Sequence, residues 1–205
     1  VRIDIWSDVV CPWCYIGVTR FDRALASFDG EVTIRLHPFQ LDPDAPIPGV
    51  PVREVYAAKF GDDVDPTLER ITSEGAREGL TFNWDRATRG NTFDAHRAIA
   101  FARPSGRDRD LEMRLFRAYF TDGLDVSDRE VLADEGARLG LDRDEMAAYL
   151  ESDAGVDEVR RELNHAFERG ISAVPSFVFE DEFLVPGAVD TASFSRILEQ
   201  MRAVG

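Results

Sequence analysis

The chain has 205 residues, 44% of them apolar and 31% charged, with a formal net charge of −15 at pH 7. That length allows one or two domains with a sizeable core, and no apolar run approaches the roughly 20 residues of a membrane-spanning helix. The acidic balance excludes nucleic acid as an expected partner, because phosphate binding needs a basic surface.

Residues 1–7 alternate polar and apolar side chains as a half-buried strand does. The sequence opens on this strand with neither the basic segment nor the apolar stretch of a leader peptide, so the cytoplasm is the expected compartment. Residues 11–28 follow as a helix, with Ile16, Phe21, Leu25 and Phe28 on one face. After Asp29-Gly30, residues 31–39 alternate again, with Val32, Ile34 and Leu36 on one side. Strand, helix, strand in this space is a βαβ unit, whose two strands should run parallel.

Gln40 to Pro51 holds four prolines and reads as an irregular connection. Helices are predicted at 52–60, 66–78, 92–103, 108–121, 127–139 and 143–151, with glycines between most of them. Ser127 with Glu130 has the spacing of a capping box, and Asn91 suits a helix N-cap. Leu80-Thr81-Phe82-Asn83-Trp84 is the one β-like piece in this block and is short enough to be a loop. A helix over 156–169, strands at 176–179 and 183–185, and a closing helix over 191–204 complete the chain. Glu180-Asp181-Glu182 is the expected hairpin turn, of a type its residues leave open.

The order is therefore β-α-β, about a hundred helical residues, then α-β-β-α. Without the helical block, the two ends make a mixed four-stranded α/β sheet. The expected division is 1–40 with 156–205 as one domain and 41–155 as a helical insertion.

The chemistry concentrates at Cys11-Pro12-Trp13-Cys14, which holds both cysteines of the chain. Cys11 falls where the first strand passes into the first helix. Unpaired N–H groups and the positive end of the helix dipole gather there, and both favour a thiolate, the nucleophilic form. Cys14, one turn on, can resolve a mixed disulfide, and its burial should raise its pKa. Cys11 should be the exposed and attacking member. Pro12 suits a first helical turn, and with Trp13 it should tune the thiolate preference. A structural zinc site needs four ligands, and His37, His96 and His165 show no ligand spacing, so no metal is expected. A c-type haem would need histidine where Tyr15 stands.

Strand, Cys-Pro-Trp-Cys and helix together resemble the thioredoxin superfamily, and the helical insertion resembles its DsbA family. Ser7-Asp8-Val9-Val10-Cys11-Pro12-Trp13-Cys14-Tyr15-Ile16-Gly17 is close to the FrnE-type branch. Residues 38–43, Asn91 to Arg97 and Gly170 to Phe177 are similar to other segments of that branch. The resemblance implies a thioredoxin-like fold and a thiol-disulfide oxidoreductase or isomerase, with Cys11 and Cys14 catalytic. It implies that Val174-Pro175 is a cis peptide lying against the dithiol, where an extended substrate could pair by a short strand addition. No prosthetic cofactor is implied; glutathione or another small thiol could act as reductant. The partners implied are proteins carrying thiols or disulfides, with no nucleic acid or membrane, and the chain as monomer or homodimer.

His96 and Asn91 lie in a matched segment and are candidates for supporting the site from behind, against helix capping and packing. Trp6 and His37 read as structural, Trp13 as exposed and able to touch substrate. Phe93, Phe101, Phe116 and Phe120 fit core better than groove. Two other functions compete. A glutathione-dependent isomerase or transferase of the kappa or hydroxychromene-carboxylate type usually carries serine where Cys11 stands. A holdase working through the helical block would need neither cysteine.

Overall fold

The computed structural model describes residues 1–61 and 63–204. In chain order the elements are β1 (Arg2–Ser7), α1 (Pro12–Ala26), β2 (Thr33–Pro38), β3 (Val50–Pro51), α2 (Val52–Phe60), α3 (Asp65–Arg77), β4 (Thr88–Arg89), α4 (Phe93–Ala102), α5 (Asp108–Arg117), α6 (Arg129–Ala137), α7 (Arg143–Glu151), α8 (Val156–Glu168), β5 (Ser176–Phe179), β6 (Phe183–Pro186) and α9 (Thr191–Val204). They form two compact units, residues 1–39 with 162–205 and residues 40–161.

The first unit carries a four-stranded sheet in the order β2-β1-β5-β6. The β1–β2 pair is parallel, as a βαβ unit requires, while β5 and β6 are antiparallel to their neighbours. Alternation along β1 divides its side chains between two cores. Ile3 and Ile5 go to one face, where Phe21 of α1, Phe177 and Phe179 of β5 and Phe194 of α9 are all buried. Ring centroids there lie 4.7–5.3 Å apart for the Phe21–Phe177, Phe21–Phe194 and Phe177–Phe194 pairs. Trp6 goes to the other face and packs with Val178, Ala166 and Ile171.

Asp4 shares that second face. Its Oδ1 lies 2.6 Å from Nε2 of His37, whose ring stacks on Trp6 at 4.4 Å. Trp6 and His37 are thus interior groups, joined to the sheet by packing and a buried polar contact. The hairpin between β5 and β6 turns on Glu180 and Asp181, both at positive φ (52° and 63°), the twist-matched type. Neither residue is a glycine, so the turn type was not readable from composition.

The second unit is the helical block with one small addition. β3 and β4 pair antiparallel through Val50–Arg89 and Pro51–Thr88, a ladder too short for any periodicity to announce. Residues 80–83 are loop. The predicted helix 108–121 is α5 followed by a π turn, Ala118–Asp122, ended by Gly123 at φ +68°. Phe120 O at this widened turn accepts from Asn83 N–H at 2.6 Å, which ties the preceding loop to α5. Phe116 and Phe120 are core, with Phe93 and Phe101 half-buried.

The capping box expected from Ser127 is corrected. Asp128 is the N-cap of α6 and accepts from Glu130 N–H, while Ser127 Oγ bonds to Asp125. An Asx side chain one residue later competed for the same role and won, having two acceptor oxygens. Likewise Thr92, not Asn91, is the N-cap of α4, but Asn91 Oδ1 still receives the N–H of Phe93 at 2.9 Å.

Candidate active site

The last residue of β1 is Ser7, and a tight turn follows in which Cys11 N–H bonds Asp8 O at 2.9 Å. Cys11 is extended (φ −92°, ψ 113°) and serves as the N-cap of α1, with Pro12 in the first turn, where a missing N–H costs nothing. Its carbonyl accepts from the N–H groups of Cys14 and Tyr15, at 3.0 and 3.2 Å. A helix of 15 residues thus starts on one cysteine and buries the other one turn inside.

Both cysteines are free thiols. Cys11 is 4% exposed and Cys14 0%. The expectation of an exposed Cys11 is corrected in degree: it is the more open of the two, yet it too is buried. Trp13, expected to stand in solvent, is half-buried between them. The surrounding chain accounts for this shielding, because Pro175 and the half-buried Val174 close over the helix start. Cys11 Sγ lies 3.7 Å from Val174 O, and the Val174–Pro175 peptide is cis. Pro175 O in turn accepts from Gly187 N–H at 2.8 Å, just before β5 begins at Ser176.

Burial holds the Cys14 thiol well above its ordinary value, and the hydrogen bond it donates to the Cys11 sulfur and the charge of Cys11 act in the same direction. Asp8 acts both ways: its main-chain N–H bonds the Cys14 sulfur and favours the thiolate, while its carboxylate opposes it. Asp8 is completely buried. In the sequence Asp8 stands only as one residue of the segment Ser7–Gly17. The signal was there, a lone acid in the apolar run before Cys11. Its proximity to Cys14 depends on the turn folding back.

Two results follow. An unfolded thiol ionises near 9.0, whereas folded Cys14 keeps its proton to higher pH. That stabilisation is complete below the unfolded value and is lost as pH rises toward the folded one, at roughly 1 kcal/mol per pH unit. The urea midpoint of the reduced protein should therefore fall more steeply above about pH 9 than that of Cys14→Ala; equal slopes would contradict the raised thiol. Second, in a Cys11→Ser background, Asp8→Asn should let Cys14 ionise at lower pH, followed by ultraviolet thiolate absorbance. An unchanged or higher titration would show that the Asp8 charge is not felt at the sulfur.

Asn91 and His96 belong to the second unit. The Asn91 side chain is engaged by Gln40 Nε2 and bonds Pro43 O, tying down the irregular connection. His96 is buried within α4 at 5% exposure. Among the described residues no group of three or more His, Cys, Asp or Glu side chains could hold a metal ion, and no helix is long and apolar enough to cross a membrane.

The chain is similar to known proteins in sequence and in fold. The family model described as DSBA-like thioredoxin domain matches residues 2–199. The crystal structure of a probable DsbA oxidoreductase from Streptomyces coelicolor is 34% identical, with a TM-score of 0.92 over 98% of this chain and 90% of that one. YwbO of Bacillus subtilis, an uncharacterized protein, is 28% identical over 97% of this chain and 96% of its own length. At 22% identity the likeness is of fold alone: the cytosolic disulfide reductase DsbM of Pseudomonas aeruginosa has a TM-score of 0.65 over 100% of this chain and 96% of its own.

Proposed function

From the premise that this chain belongs to the DSBA-like thioredoxin domain family of thiol oxidoreductases, we propose that it exchanges disulfides with protein substrates through Cys11 and Cys14. The observation that carries the reading is the seat of Cys11: a helix start on one side, the Val174 carbonyl 3.7 Å away on the other. The helix start favours negative charge on that sulfur. The Val174–Pro175 segment offers an extended substrate a short run of backbone beside it.

In the reducing direction, Cys11 thiolate attacks one sulfur of a substrate disulfide. The substrate S–S bond breaks, one substrate thiolate leaves, and a mixed disulfide forms. Cys14 then loses its proton and attacks Cys11 Sγ. The second substrate sulfur leaves as a thiolate and takes up a proton, and the enzyme keeps a Cys11–Cys14 disulfide. Two electrons have passed to substrate. Two equivalents of a small thiol such as glutathione return them and become a disulfide themselves. Oxidation of a substrate dithiol is the same path in reverse; in isomerisation the mixed disulfide forms as above, and a different substrate thiolate then attacks the substrate sulfur, makes the new disulfide and expels Cys11 as a thiolate. Cys14 can keep its proton until the mixed disulfide has formed, which suits a buried resolving thiol.

Presence of both sulfurs at the helix start weighs against the glutathione-conjugating alternative. The deciding experiment follows insulin reduction with glutathione as the electron source, beside equilibration of the Cys11–Cys14 couple in glutathione buffers. Thioredoxin-like couples span about −270 to −120 mV, and a value toward the low end would make the protein a reductase, toward the high end an oxidant. Inert wild type, or a Cys11→Ser, Cys14→Ser double variant as active as wild type, would overturn the proposal in favour of a holdase or transferase.

A further inference from the structure

The geometry points to Gly17 and Arg20 of α1 as positioning residues that set where substrate backbone can lie relative to the Cys11 sulfur. This rests on the proposed pairing of substrate beside Val174–Pro175. Cys14, Gly17 and Arg20 follow one another at three-residue spacing, so they share a helix face. Behind the buried Cys14, that face is pressed against the segment that carries Pro175.

At Gly17 there is no room for a side chain. A methyl group on its Cα would lie 2.9 Å from Cγ of Pro175 and 3.2 Å from Cα of Ala188. Neither neighbour can swing away: one belongs to a ring fused to the backbone and the other is backbone itself. One turn further, Nη1 of Arg20 donates to Ala188 O at 2.8 Å. The guanidinium is largely buried, at 9% exposure for the residue. The adjoining Gly187, at φ +81°, then donates its N–H to Pro175 O. Glycine is the residue that enters this conformation without a steric cost.

These contacts close a circuit. α1 presents Cys11 at its start, touches Pro175 through Gly17, and grips the Gly187–Ala188 corner through Arg20. That corner holds Pro175 by its carbonyl. The sulfur and the proposed substrate-pairing backbone are thus both registered on one rigid helix. Pairing within the sheet fixes β5, but Val174 and Pro175 precede its first paired residue, Ser176. Their position rests instead on Gly17 and on the Gly187–Ala188 corner that Arg20 grips.

The test compares wild type with Gly17→Ala and Arg20→Met. Three readouts are taken: kcat and KM for a disulfide-bonded peptide, the rate of Cys11 alkylation by iodoacetamide, and the thermal midpoint. Displacing the pairing segment by a few tenths of an ångström or more should lower kcat/KM by roughly tenfold, chiefly through KM, while alkylation changes by less than about threefold. Equal falls in alkylation and turnover would mean damage to the thiol itself and would overturn the inference, as would variants within about twofold of wild type in kcat/KM. Should Gly17→Ala fail to fold, Arg20→Met carries the test, since it adds no atom against Pro175. A wild type inert toward peptide disulfides would instead overturn the proposed function.

Discussion

Replacing Cys11 with serine is expected to lower disulfide exchange by on the order of a thousandfold or more, because no other group can make the first bond to substrate sulfur. Cys14 cannot take over. It is wholly enclosed, and burial keeps its proton on. Cys14→Ser should behave differently. Its first step is intact, so Cys11 captures substrate, but nothing displaces it from within, and mixed disulfides accumulate until an external thiol releases them. Non-reducing electrophoresis after incubation with a disulfide-bonded protein reads both variants at once. Adducts with Cys11→Ser and none with Cys14→Ser would reverse the two roles and sink the assignment.

The largest structural effect is expected in the second unit, at Arg97. This side chain is 1% exposed and makes six hydrogen-bond contacts with its five N–H groups, one on Nη2 being shared between two carbonyls. Nη1 reaches Asp94 and Leu150 O, Nη2 reaches the carbonyls of Tyr149, Ser152 and Ala154, and Nε shares Ala154 O. Four of the five acceptors are main-chain carbonyls at or just beyond the end of α7. There, intrahelical donors run out and the dipole is negative. A planar cation with five N–H groups answers both needs. Arg97→Ala should cost about 3–5 kcal/mol, because it removes a buried cation paired with Asp94 and takes the side-chain donor from the Leu150, Ser152 and Ala154 carbonyls. Arg97→Lys should recover only part, since an ammonium has three donors and no fixed fork. Urea unfolding followed by circular dichroism checks this, and a midpoint for Arg97→Ala indistinguishable from wild type would refute it.

The role of neither arginine is legible in the sequence, although Arg97 ends a segment that resembles the family, and the reason differs from the case of the cysteines. Cys11 and Cys14 are a local pattern: three positions apart, at a place where a two-residue period gives way to a helical one. Everything needed to suspect a dithiol lies within a dozen residues. Arg20 and Arg97 look like ordinary charges on predicted helices. Their meaning comes from what they touch: Ala188 for one, Tyr149 to Ala154 for the other. Asp8 is intermediate, near in sequence to Cys14 but brought to its sulfur only by the turn at Asp8–Cys11.

The same distinction runs through the secondary structure. Long periodic stretches such as α7 and α9 could be read directly, since burial of one face imposes the period. The two-residue β3–β4 ladder and the π turn after α5 could not. The first owes its existence to Val50 and Arg89 meeting across a unit, the second to a carbonyl drawn out toward Asn83.

By itself the order of residues determined the alternation of strands and helices, the parallel first pair, and a sulfur pair at a helix start, because each follows from side-chain spacing along a short piece of chain. Tertiary structure alone decided what faces that pair. Val174 lies 163 positions from Cys11, and Gly17 meets Pro175 from the far end of the sequence. No local rule fixes such distances; they are set when burial on both faces of the sheet leaves the chain one way to return.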